Sequence, residues 1–384
     1  MPELAPKASC SGCTACFSIC PQHCISMDAD GNGFSYPVIE QAKCVDCNLC
    51  QSVCPVVTPR SPKTFKPVAY AAYSNDPAIR AASSSGGIFS EAAHVVLNQG
   101  GVVFGAAYDP DFTVRHISIE NKDDLDLLRG AKYAQSYLGD TFQSIYQLLK
   151  NDRKVLFSGT PCQVAGLKAF LRKDYDNLLC IDFVCHGVPS PMAWSQYVRY
   201  RAGQDNDGTL PLAINLRSKE TGWSGYQYSN VFEYANGTRN VCTGNDSLFM
   251  KLFVGDYISR VSCEHCAFKG YSRCSDLTLG DFWGIWDIAP DMDDNRGTSL
   301  VLVQSPKGKD IFKQINERCV VRKMSLEQAS AQNQSMLSSS PSNAHRNEVL
   351  RTIKNGDFEK CTNLLIPIQT CFFKKIIRKL RLFK

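Results

Sequence analysis

Two copies of one cysteine pattern open the chain, Cys10-x2-Cys13-x2-Cys16-x3-Cys20-Pro21 and Cys44-x2-Cys47-x2-Cys50-x3-Cys54-Pro55. Three thiolates within seven residues wrap a loop around three corners of an iron–sulfur cube. The fourth, followed by proline, leaves that loop and reaches the other cube. The spacing predicts two 4Fe-4S clusters, one on Cys10, Cys13, Cys16 and Cys54, the other on Cys44, Cys47, Cys50 and Cys20. A four-thiolate zinc site is the competing chemistry, but zinc modules show separated C-x2-C pairs instead of these runs. Cys24 falls outside the repeat and reads as a packed spare thiol. Phe17, Ile19, Ile25, Leu49, Val53 and Val56 adjoin the ligands, where apolar side chains exclude water and tune potential.

Further thiols lie in the body of the chain. Cys263-x2-Cys266 is a close pair, with Cys274 eight residues beyond. Cys162 and Cys185 each follow a predicted strand. Close thiols in a reducing compartment hold a metal or exchange disulfides, and SCEHCAFKGYSRC lacks the strand-to-helix corner that redox exchange favours. Cys162, Cys185, Cys263 and Cys266 are candidate ligands of a third cluster, with zinc or free thiols as the other reading. Three loops stand where ligands are expected. Ser85-Gly86-Gly87 opens a predicted helix, where free N–H groups suit a phosphate, although an ordinary glycine-containing cap reads the same. Gly159-Thr160-Pro161-Cys162-Gln163 and Cys185-His186-Gly187 follow strands, and open α/β sheets bind ligands beyond strand carboxyl ends. His186 reads equally as a structural residue or a proton carrier. Neither a GxGxxG fingerprint nor a P-loop occurs.

The chain has 384 residues and 19 cysteines. MPELAPKASCSGC has no apolar signal region, so a cytoplasmic location with reduced thiols is expected. Hydrophobic residues at 44% and charged residues at 21% fit a globular protein. No apolar run reaches the roughly 18 residues of a membrane-spanning helix. Six of the 42 basic residues (Lys374, Lys375, Arg378, Lys379, Arg381, Lys384) crowd the last 19 positions, which leaves 36 against 37 acids elsewhere. The body is neutral, and no nucleic-acid partner is expected.

The elements that must position these groups alternate. Phe34–Val38, Val68–Tyr73, Val102–Tyr108, Lys154–Ser158, Leu178–Val184, Ala213–Arg217, Tyr226–Tyr234, Thr238–Cys242, Leu277–Leu279 and Ser299–Gln304 read as strands. Helices are expected from Ile88, over Asp123–Leu128, Thr141–Lys150 and Val164–Leu171, from about Met192, and over Asp246–Val254 and Lys307–Arg318. The expected fold is α+β or α/β. It comprises a small two-cluster ferredoxin-type domain (residues 1–58), a linker (59–68), a larger mixed α/β domain (69–322), which the resemblance given next makes flavin-binding, a helical extension (323–365) and a basic amphipathic tail (366–384).

On several stretches the chain resembles the coenzyme F-420 hydrogenase/dehydrogenase β-subunit family, in the form with an N-terminal two-cluster ferredoxin domain. They are Ser84–Gly87, Arg129–Ser136, Gly159–Leu167, Cys185–Pro191, Leu216–Lys219 with Gly222-Trp223, Cys263-x2-Cys266 and Ser275–Gly284. The resemblance implies FAD and an iron–sulfur cluster in the larger domain. By it, Ser85, Gly86, Gly87, Lys132, Tyr133, Gln135, Ser136, Gly159, Thr160 and Gln163 are flavin-site candidates. Cys162, Cys185, Cys263 and Cys266 become core-cluster ligands, and Arg217, Lys219 and Trp223 contacts for the carrier or another anion. Lys132 is a candidate to stabilise negative charge on the reduced flavin or its phosphates, and His186 to assist proton transfer. Chains with this domain order also resemble proteins of surface-polysaccharide loci. Cys274 and the basic tail depart from the family pattern.

Clusters are one-electron devices and a flavin exchanges electrons singly or in pairs, so the reading is an iron–sulfur flavoprotein oxidoreductase serving a redox carrier or partner redox protein. The alternatives are a non-catalytic electron-transfer subunit and a flavin-dependent glycan-modifying enzyme. In the tail, Phe372, Phe373, Ile376, Ile377, Leu380 and Phe383 recur at helical spacing opposite basic residues. That pattern suits peripheral attachment to the inner face of a membrane, or docking of a terminal helix on protein.

Overall fold

The computed structural model describes residues 2–60 and 65–365. The amphipathic tail expected over 366–384 lies outside the described residues. Among them, no helix is long and apolar enough to cross a membrane.

The first domain is a ferredoxin-like unit built on the antiparallel hairpin of β1 (Ile25–Ala29) and β2 (Ser35–Ile39). Each cysteine run makes a loop that ends in a short helix, Ala15–Ile19 and Leu49–Ser52. The repeat is visible in the backbone. Gly12 and Thr14 take φ of 68° and 65°, and their counterparts Asp46 and Asn48 take 51° and 59°. Left-handed backbone at a non-glycine residue costs energy, and both copies accept it to curl the thiols inward.

The larger domain is a mixed eight-stranded sheet. Its strands are β3 (Val68–Ser74), β4 (Val102–Tyr108), β5 (Val114–Ile119), β6 (Val155–Ser158), β7 (Leu178–Phe183), β11 (Leu277–Asp281), β12 (Ser299–Val303) and β13 (Cys319–Met324), in the order β13-β3-β12-β11-β7-β6-β4-β5. A separate antiparallel sheet holds β8 (Ala213–Ser218), β9 (Ser229–Glu233) and β10 (Arg239–Thr243). The four central strands β4, β6, β7 and β11 are parallel, and the outer ones antiparallel. Alternation along the strands sorts side chains to two faces. Val103, Leu156 and Leu179 pack with helices Ile88–Asn98 and Pro306–Asn316. Val102, Phe104, Val155 and Phe157 face helices Thr141–Lys150 and Pro161–Leu171. Cys13, Ala15 and Val53 of the first domain join that second core, so the two domains share apolar packing.

Several expectations shift. The strand expected from Tyr226 starts at Ser229, because Thr221 Oγ1 donates to the Gln227 carbonyl and the Ser224 amide to Asn295, which fixes a tight turn at 224–226. β1, β5 and β13 have no counterpart among the strands expected from sequence, and β13 runs across the boundary expected at residue 322. Helices Arg346–Lys354 and Phe358–Leu364 pack with Trp194, Tyr197 and Phe249 of the larger domain.

Gly86 is required by packing. A Cβ there would stand 2.4 Å from the Ala72 carbonyl oxygen and 2.8 Å from the Ser299 amide. Gly86→Ala is expected to cost on the order of 1–3 kcal/mol. The check is the denaturant midpoint at constant slope, and an unmoved midpoint contradicts the packing.

Candidate metal and cofactor site

Cys10, Cys13, Cys16 and Cys54 line one concavity of about 380 Å³, together with Met27, Pro37 and Val56. Cys20, Cys44, Cys47 and Cys50 line a second of about 320 Å³, with Ile25, Ile39 and Leu49. Each set borrows its fourth thiol from the other run. Cys24 also lines the second concavity, its sulfur 3.4 Å from that of Cys20. Burial pushes the Cys13 thiol up to about 12; an amide from Ala15 opposes this, and charge at Cys162, Cys10 and Cys54 reinforces it. Burial raises Cys16 well above its ordinary value too, with Cys13, Cys10 and Cys54 adding to the shift. Thiols held this way ionise when a metal replaces their protons. The sulfurs surround volumes instead of converging on points, and among the described residues no three His, Cys, Asp or Glu side chains are grouped to hold a single ion.

A third set forms beyond the sheet. Parallel β4, β6, β7 and β11 end on one edge, at Tyr108, Ser158, Phe183 and Asp281. Cys162 sits in the first turn of the helix Pro161–Leu171, which opens after β6, and Cys185 follows β7. The loop at 185–191 is zipped to residues 257–263. Ser190 donates its amide to the Ile258 carbonyl, Arg260 its amide to Val188, and a bridge joins Pro189 to Ser259. This brings Cys263 and Cys266 to Cys185. Burial raises the Cys185 thiol most, and Cys263, Cys162 and Cys266 all add to it. Burial lifts Cys263 to about 12, with Cys162 and Cys266 contributing. Lys269 Nζ donates to the Cys185 carbonyl at 2.6 Å and to that of Ser335 at 2.8 Å, tying the set to the C-terminal segment. Cys274 stands beside Cys180 instead, whose thiol it helps raise. Residues 263–274 therefore contribute their thiols to different neighbourhoods.

The third set adjoins the first. Cys162 is among the charges acting on Cys13, and Ser11 hydrogen-bonds to the Cys162 thiol. Sequence reasoning missed the residue that joins them. Buried Arg260 donates from Nε to the Cys10 carbonyl at 2.8 Å, from Nη2 to the Ser35 carbonyl at 3.0 Å and from Nη1 to Gln135 Oε1 at 2.8 Å. Its position three residues before Cys263 was the only signal available.

The flavin-site candidates fall into two connected groups along the same edge. Gln163 Nε2 donates to Ser136 Oγ at 2.9 Å, and its Oε1 accepts from the Thr160 amide in a capping box. Thr160 Oγ1 lies 3.1 Å from Cys162 Sγ, and Gly159 donates its amide to the Ile181 carbonyl. The second group is cationic. Lys132 Nζ is held by the Leu127, Arg129 and Gly130 carbonyls, and burial lowers it to about 7. Lys219 Nζ, also lowered to about 7 by burial, is held by the Arg80, Ser85 and Arg296 carbonyls. Buried Arg217 donates from Nη1 to Asp281 at 2.8 Å and to the Tyr133 hydroxyl at 3.3 Å. Its Nε and Nη2, the Tyr108 hydroxyl and the Ser85 hydroxyl are buried without hydrogen-bond partners among the described residues. The Gly86 amide is taken by Ser299 Oγ, so that loop does not offer it to a phosphate. Gln135 faces Arg260 at the domain junction. His186 has Nδ1 at 3.2 Å from Ser335 Oγ and Nε2 at 3.1 Å from Asp256 Oδ1.

Residues 152–329 match the family model for the C terminus of the coenzyme F420 hydrogenase/dehydrogenase beta subunit. Residues 9–57 match that of the 4Fe-4S dicluster domain. No curated protein matches the chain. Among solved structures, a xenon-derivatized F420-reducing [NiFe] hydrogenase complex from Methanosarcina barkeri contains a similar chain. It is 13% identical, with 77% of this chain and 90% of that one covered and a TM-score of 0.46.

Helix Pro161–Leu171 touches the first concavity through a glycine, since a Cβ on Gly166 would stand 2.8 Å from both Cβ and Sγ of Cys13. Gly166→Val is expected to displace Cys13 and deplete that set of iron, seen as loss of one of the N-terminal cluster signals by electron paramagnetic resonance. Full retention of both signals would show that the helix does not constrain Cys13.

Proposed function

We propose, for a chain that joins a 4Fe-4S dicluster domain to a C-terminal region of the coenzyme F420 hydrogenase/dehydrogenase beta-subunit family, that it is an iron–sulfur flavoprotein oxidoreductase. Electrons pass between a two-electron carrier, FAD and three 4Fe-4S clusters, and leave or enter through a partner redox protein. The observation that carries this reading is the train of thiol sets, in which Cys162 reaches Cys13 and Cys54 is interleaved with the run that also supplies Cys44, Cys47 and Cys50. When bound, the flavin exchanges electron pairs on one side and single electrons on the other.

The donor sets fit these groups. Cys10, Cys13, Cys16 and Cys54 would hold the first cluster, Cys20, Cys44, Cys47 and Cys50 the second, and Cys162, Cys185, Cys263 and Cys266 the core cluster. Arg217 is paired with Asp281 through Nη1, but its Nε and Nη2 are buried without partners among the described residues, with Lys219 near, which suits a hydrogen-bond-accepting ligand. A buried N–H group without an acceptor is costly. Lys132, Tyr133, Ser85 and Arg217 would bind the flavin's anionic or carbonyl portions, while Thr160, Ser136 and Gln163 orient it next to Cys162. His186 ties the Cys185 loop to Ser335 through Nδ1 and faces Asp256 Oδ1 with Nε2, the nitrogen that would carry a proton. Cys47 is exposed and Val45 beside it is 61% exposed, which supports the second set as the face for the partner.

Anaerobic purification with iron, sulfide and flavin quantitation tests this. About twelve iron atoms and about one flavin per chain are expected. Cys263→Ser should remove about a third of the iron and leave both N-terminal signals. Arg217→Lys should lower bound flavin at unchanged iron. Iron near eight without flavin would leave only an electron-transfer module, and zinc in the thiol sets would defeat the reading.

A further inference from the structure

Arg260 is 1% exposed, and the partners of its side-chain hydrogen bonds are uncharged. Its Nη2 also lies 3.9 Å from Cys10 Sγ, and its guanidinium stacks 4.0 Å over the Tyr36 ring. Among the described residues no carboxylate forms an ion pair with it. An unpaired charge away from water is expensive, so something else must supply the negative charge. On one side lies the Cys10 set. On the other lies the core set, because the Arg260 carbonyl accepts the Cys263 amide and its charge acts on both Cys162 and Cys263.

Four thiolates outweigh the positive charge of an iron–sulfide core, so a loaded cluster is anionic, and reduction adds a further negative charge. We infer that Arg260 takes the first and core clusters as its counterions and raises both their midpoint potentials relative to the cluster of Cys20, Cys44, Cys47 and Cys50. A fixed cation stabilises the more negative, reduced state in a low-dielectric site. Arg260 therefore biases electrons toward the junction of the two domains and away from the outer cluster. The same contacts make domain docking depend on loaded clusters, since an iron-free junction would leave the guanidinium without its counter-charge. The inference rests on the cluster assignment proposed above.

Potentiometric titration of the full-length holoprotein, followed by electron paramagnetic resonance, tests it. Arg260→Gln is expected to shift the first and core clusters to lower potential and leave the outer one in place. Arg260→Lys, which keeps the charge, should restore most of the shift. Unchanged potentials in Arg260→Gln, an equal shift of all three clusters, or a lysine variant displaced as far as the glutamine one would each overturn the inference. Gln135→Glu keeps the arginine and sets a carboxylate against it, so it tests the same charge if Arg260→Gln does not accumulate. A downward shift of the first cluster is expected there, and no shift overturns the inference. Absence of a core cluster in the wild-type protein would overturn the functional reading before any variant is made. Arg260 is then judged on the first cluster alone, whose unmoved potential sinks it.

Discussion

Like charges must be gathered where water is scarce, and everything else in the molecule serves that requirement. Burial and mutual repulsion push the thiols of Cys13, Cys16, Cys185 and Cys263 upward. Left to themselves these groups would stay protonated. In the 4Fe-4S dicluster domain iron supplies the opposing charge, and the backbone supplies the geometry through left-handed turns at Gly12, Thr14, Asp46 and Asn48. Folding and metal uptake are then one free-energy balance, as in other small metal-bound modules.

The large sheet solves a placement problem. Four parallel strands deliver their carboxyl ends to one edge, where Cys162, Cys185 and the Asp281–Arg217 pair come together. The ferredoxin-like domain docks against that edge through the Cys13 side of its first thiol set, and helix Pro161–Leu171 belongs to both neighbourhoods at once: Cys162 opens it, and Gly166 lets Cys13 lie against it. The spacing between the two thiol sets is thus set by about one helix turn rather than by a flexible linker.

Local chemistry was well expressed in the chain. The cysteine runs and the strand Val102–Tyr108 carry their own signals, and helix Thr141–Lys150 has the bounds that its periodicity predicts. Interleaving of Cys20 and Cys54 was also legible, because the proline after each ends its loop. What could not be read was tertiary. β13 and β5 lie at the sheet's edges, where short mixed sequences pair because a neighbour is present. Arg260, Lys269 and Ser11 act across long stretches of chain or between domains, and nothing in their immediate sequence announces it. Gly86 has the look of a ligand-binding glycine, yet Ala72 and Ser299 explain its lack of a side chain.

The exchange of fourth thiols between the two cysteine runs has a consequence for how the protein is made. The nest of Cys20, Cys44, Cys47 and Cys50 is complete once Cys50 has left the ribosome, and that of Cys10, Cys13 and Cys16 only with Cys54, so the run that emerges first is the last of the two to be closed. The core nest waits for Cys266, long afterwards. The order in which the thiol sets are completed is accordingly written into the timetable of translation, the two amino-terminal ones long before the third.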